Sequence, residues 1–78
     1  MTILEARLRR YLFGTRCVQV FRGGDLVLGS DDDVVKVRRT HTGVRVWALW
    51  SDRHHGEETN LEVMAWWFPV VDELRVMR

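Results

Sequence analysis

The stretch from Thr59 to Phe68 constrains the fold most, because it is largely apolar and Glu62 is its only charge. At 3.6 residues per turn, Leu61, Met64, Ala65 and Phe68 fall at i, i+3, i+4 and i+7 and make one packing face, with Trp67 at its flank. Val63 and Trp66 lie on the opposite side. A helix apolar all round is either covered on two sides or offers one side to a partner. The spacing predicts a helix capped by Thr59 or Asn60 and ended by Pro69.

A second helix is signalled at the N-terminus. Thr2 and Glu5 form a capping box, Gly14 supplies a left-handed stop, and residues 3–13 lie between them. Leu4, Leu8, Tyr11 and Leu12 form its apolar stripe, with Arg7 and Arg10 on the far side. Laid beside the Thr59–Phe68 helix, this stripe would cover Val63, Trp66 and Trp67.

Four β-prone runs follow. Arg16–Arg22 and Asp25–Gly29 flank Gly23-Gly24, a hairpin signal because both turn positions need positive φ. That turn sets Arg22 opposite Asp25, Phe21 opposite Leu26 and Val20 opposite Val27. Thr40-His41-Thr42-Gly43 turns Val34–Arg39 into Val44–Trp50. Pairing Arg39 with Val44 puts Val35, Val37, Val46 and Ala48 on one face, and Val34, Lys36, Arg38, Arg45, Trp47 and Leu49 on the other. Ser51–Glu58 reads as a polar loop. The tail after Pro69 suits a helix by its early acids Asp72 and Glu73 and its late Arg75 and Arg78. The alternation of Leu74 and Val76 with Arg75 and Met77 suits a short fifth strand, which we prefer. The expected fold is α+β: an N-terminal helix, a four-stranded antiparallel meander, a second helix packed on the sheet, and that fifth strand.

Composition fits one globular domain over residues 1–78, since a hydrophobic fraction of 46% with one proline excludes a disordered chain. The lone Cys17 can neither staple the fold nor build a zinc site. No apolar run is long enough to span a membrane, and Arg7, Arg9 and Arg10 interrupt the place of a signal peptide. A cytoplasmic protein without membrane contact is expected. Charge comes in alternating blocks: net +4 over residues 1–24, −4 over 25–33, +4 over 34–50 and −3 beyond. Such blocks either pair internally or face partners.

Each candidate site has a plain alternative. Lys36 opposite Trp47 and Arg38 opposite Arg45 surround a stackable indole with cations, as in sheet-faced binders of single-stranded nucleic acid. The plain reading is a solvated face with a lysine stem over a tryptophan. Arg7, Arg9 and Arg10 can grip an acidic partner or simply be the wet side of a helix. Asp31, Asp32 and Asp33 lack the spacing of a calcium loop, so they suit a solvated turn or a patch meeting a basic surface. Asp52, His54, His55, Glu57 and Glu58 resemble a metal or acid–base cluster, but adjacent histidines generally point apart. Trp66 is either covered or a partner's aromatic anchor. No nucleophile elbow, phosphate-cradling glycine loop or catalytic carboxylate pair is present, so no enzyme and no cofactor are expected.

A meander, the run Glu58-Thr59-Asn60-Leu61-Glu62 opening a Trp66-Trp67-Phe68 helix, and mixed charge patches resemble the build of small phage-encoded inhibitors, the anti-CRISPR proteins. The resemblance covers the whole chain and rests on no shared motif, so it assigns no residue by position. It implies a stoichiometric inhibitor in a bacterial cytoplasm that occupies a protein or ribonucleoprotein complex, such as a CRISPR–Cas effector. On that reading Asp31, Asp32, Asp33, Trp66, Arg7 and Arg10 would meet the partner. The alternative is a nucleic-acid binder using Lys36, Arg38, Arg45 and Trp47. Monomer and homodimer are both open.

Overall fold

In the computed structural model of the chain, residues 1–30, 33–54 and 56–77 are described, Arg53 and His54 by their backbone alone. The elements are α1 (Ile3–Phe13), β1 (Cys17–Arg22), β2 (Asp25–Gly29), β3 (Val34–Thr40), β4 (Gly43–His54), β5 (Glu57–Pro69) and β6 (Glu73–Met77). The strands form two three-stranded antiparallel sheets, β2-β1-β6 and β3-β4-β5. Arg16 and Val34 join the sheets by backbone hydrogen bonds in both directions, at 3.0 and 3.2 Å.

The expected second helix does not form. Residues 57–69 are instead the longest strand, paired with β4 from Gly43↔Pro69 to His54↔Glu57. Of the polar loop expected over 51–58, residues 51–54 and 57–58 instead lie in β4 and β5. The stretch is apolar on two sides because a strand in a sheet covered on both faces must be so. Trp66 and Phe68 pack towards the other sheet, onto the core of Val18, Val20, Val34, Val44 and Val46. Leu61 and Val63 pack on the opposite side, against Val35, Leu49 and Ala6 of α1. Tryptophan, phenylalanine and valine also favour the pleated surface over the helix. Twelve residues of β4 at ~3.3 Å each span ~40 Å, which matches the 41 Å long axis of the molecule.

In place of a four-stranded meander, the chain meanders only through β3, β4 and β5, while β1 pairs with β2 and with the C-terminal β6. Gly23 and Gly24 both take positive φ, and Arg22↔Asp25 and Phe21↔Leu26 pair as the turn dictates. A bulge beyond Phe21 then moves Val20 onto Leu28 instead of Val27. A second bulge between Val34 and Lys36 pairs Val34 with Ala48. It sends Val34 to the inter-sheet core and Val35 to the α1 side, the reverse of the expected faces. The acids read as a helix start have another use: Asp72 accepts the Gly23 N–H through its side chain and donates its own N–H to the Phe21 carbonyl.

The helix forms where its caps place it. Thr2 Oγ1 accepts the Glu5 N–H at 3.1 Å, and Gly14 at φ 75° donates to the Arg10 carbonyl at 2.9 Å. Its packing is not the expected one, because Ala6 is the residue it buries and the leucine stripe faces outward. No described helix is long and apolar enough to cross a membrane.

Two backbone positions give opposite expectations for stability. A Cβ on Gly43 would overlap the Phe68 carbonyl oxygen and come within 2.9 Å of the Pro69 Cα. Gly43→Ala is expected to lower the unfolding free energy by ~2–3 kcal/mol, read by urea titration. Val70 holds φ 57° at an exposed corner, a conformation costly for a β-branched side chain. Val70→Asn is expected to raise stability by about 1 kcal/mol in the same titration.

Candidate functional site

Alternation along three paired strands builds one continuous outer face. β3 contributes Lys36 and Arg38, β4 contributes Trp47 and Arg45, and β5 contributes Ala65 and Trp67. The register aligns them in two rows across the sheet: Lys36–Trp47–Ala65 and Arg38–Arg45–Trp67. The Lys36 Nζ lies 5.0 Å from the Trp47 ring centre. The Arg45 guanidinium carbon lies 5.9 Å from Trp47 and 5.6 Å from Trp67, so one cation sits between two indoles. Both rings face their cations at distances where the ring quadrupole attracts positive charge.

α1 decides how much of this face stays open. Its buried Ala6 covers Val35 and Leu49, with Trp47, Leu61 and Val63 packed against them. Arg9 Nε donates to the Val35 carbonyl at 3.2 Å, and Arg10 Nη2 meets Glu58 Oε2 at 3.0 Å, tying the helix to both outer strands. Trp47 therefore straddles the covered and open parts, while Arg38, Arg45 and Trp67 are exposed. These two rows hold no acid, and Glu58 lies at the far end of β5, where Arg10 of α1 engages it. The positive block over residues 34–50 is thus divided: Lys36, Arg38 and Arg45 look outward, and Arg39 pairs with the core residue Val44 on the other side.

The structure brings together Lys36, Arg38, Arg45 and Trp47, and adds Trp67. Assignment of Trp67 to the flank of a helix hid it. The signal that reveals it is the period-two series Leu61, Val63, Ala65, Trp67, which shares one face only if the segment is extended. The other group of candidates is scattered. Trp66 is half-buried and packs on the inter-sheet core. Arg7 is exposed on α1, and Arg10 is engaged by Glu58. Asp31 and Asp32 lie outside the described residues. Asp33 accepts the Leu49 N–H through its carbonyl, and its Oδ1 is buried without a hydrogen-bond partner among the described residues.

Of the Asp52–Glu58 cluster, Asp52 accepts the Asn60 side-chain amide at 3.2 Å. His55 lies outside the described residues, and among those described no group of three His, Cys, Asp or Glu could hold a metal ion. Cys17 donates its thiol to the Ser30 carbonyl, while Ser30 Oγ accepts the Val18 N–H, so this corner is occupied by packing and hydrogen bonds. Comparison with protein-family models, with curated proteins and with solved structures finds no match to this chain.

Cation–ring contacts of half-exposed groups contribute only ~0.5–1 kcal/mol each. Arg45 makes two such contacts, so Arg45→Ala is expected to lower the unfolding free energy by no more than about 2 kcal/mol in the urea titration. A much larger loss would mean that Arg45 serves the fold.

Proposed function

We propose that this protein is a small non-enzymatic binding domain that holds single-stranded nucleic acid on the outer face of β3, β4 and β5. The observation that carries the reading is Arg45 set between Trp47 and Trp67, with Lys36 and Arg38 beside it and no acid in the two cross-strand rows they form. Phosphates attract the three cations, and unpaired bases stack on the exposed indole of Trp67 and the open edge of Trp47. Stacking reads every base alike, so the expected ligand is a short single strand with little sequence preference. Duplex DNA hides its bases and forfeits the indole contribution. The cytoplasm is the proposed place of action, where single strands and a reduced Cys17 coexist.

Fluorescence titration with labelled oligonucleotides tests this. Single-stranded DNA or RNA is expected to bind with log K falling against log salt at a slope near −2, because three phosphate contacts each contribute ~0.7. Arg38→Glu with Arg45→Glu should abolish binding, and Trp67→Ala should weaken it roughly tenfold or more while keeping the salt slope. Unchanged affinity in the double arginine variant would sink the proposal.

A second reading is the inhibitor implied by the build: a protein that occupies a protein or ribonucleoprotein complex, such as a CRISPR–Cas effector. Arg7, exposed on α1, supports it. Capture of one discrete assembly that survives nuclease treatment and depends on Arg7 would favour it over the nucleic-acid reading.

A further inference from the structure

The least expected surface of the molecule is the outer side of α1. Leu4 is 76% exposed and Tyr11 86%, and Leu8 and Leu12 are more than half exposed. At 100° per residue this stripe is centred opposite Ala6, the residue that faces the sheet, so packing of α1 on β3–β5 points the leucines at solvent. Soluble monomers rarely leave a contiguous apolar stripe of this kind uncovered.

We infer that a second copy of this chain covers it, α1 against α1, about a two-fold axis passing beside Leu8. The spacing is self-complementary. Leu4 and Leu12 lie one turn on either side of Leu8, so antiparallel helices set Leu8 on the partner's Leu8 and Leu4 on the partner's Leu12. An isologous interface demands this reciprocity, in which each residue's contact is returned by its twin.

The area is sufficient. The exposed parts of Leu4, Leu8, Tyr11 and Leu12 amount to roughly 500 Å² per copy. Two copies reach the ~1,000 Å² that a specific interface must clear. Charge does not obstruct the stripe: Glu5 and Arg7 lie on its two flanks, and Arg10 is already bound by Glu58. The Arg45–Trp67 platform lies beside α1 on the same side of β3–β5 but contributes nothing to the stripe, so the dimer does not depend on its ligand.

Sedimentation equilibrium on the full chain, over micromolar concentrations and in low and high salt, tests the assignment. The expected result is a mass twice the 9.2 kDa of the chain, retained in 1 M salt because the contact is apolar. Leu8→Glu should sediment as a monomer with an unchanged far-ultraviolet circular dichroism spectrum, its self-association weakened more than about a hundredfold. Leu26→Glu, an exposed leucine on β2, should remain dimeric. A wild-type monomer throughout the range, or a dimer that survives Leu8→Glu, would overturn the inference. So would recruitment of a monomeric protein to anionic vesicles that is lost in Leu8→Glu, since the stripe would then be covered by lipid.

Discussion

The long pairing of β4 with β5 is the constraint on which the rest of the molecule depends. From Gly43↔Pro69 to Trp50↔Glu62 it sorts the side chains of both strands alternately to one of two faces. One face receives Val44, Val46, Trp66 and Phe68 and buries them against Val18 and Val20 of β1. The other receives Leu49, Leu61 and Val63 under α1 and leaves Arg45 and Trp67 beyond the helix. A slip of one residue would exchange the two sets, exposing the inter-sheet core and burying the cations. Gly43 makes the far end of the pairing possible, since its missing Cβ lets the backbone of Phe68 and Pro69 pass close.

That this sheet carries a core on each face also explains what could be read from the sequence and what could not. The Gly23-Gly24 turn, the Thr2 cap and the Gly14 stop are local signals, each satisfied within a few residues, and they fix their elements directly. Thr59–Phe68 carries no such local signal. A strand sandwiched between two cores needs apolar residues on both sides, and over a short window that pattern also satisfies the spacing of a helix. Only pairing with β4, a tertiary interaction, separates the two. The bulges are hidden for the same reason: that Val34 and not Val35 joins Val44 and Val46 depends on how Arg16 bonds to the start of β3.

The site follows the same division. Lys36, Arg38, Arg45 and Trp47 lie on one hairpin whose register is set by its own turn, so their juxtaposition is legible from sequence. Trp67 reaches them only through β5, and so it escaped. α1 is the reverse case: its existence and limits are local, but its orientation is not. A helix normally turns its leucines inward, yet this one approaches the sheet by its smallest residue, Ala6, held by Arg9 and Arg10 to β3 and β5. The small contact leaves room for the open platform beside it and leaves the leucine stripe outside.

The most direct measurement is nuclear Overhauser spectroscopy of the labelled chain across residues 43–69. The hairpin requires cross-strand contacts between Val46 and Trp66 and between Ala48 and Met64, with the slowest amide exchange along the same pairs. Sequential amide contacts and i to i+3 contacts from Leu61 to Met64, without those cross-strand pairs, would make the segment a helix and dissolve both the inter-sheet core and the Arg45–Trp67 platform.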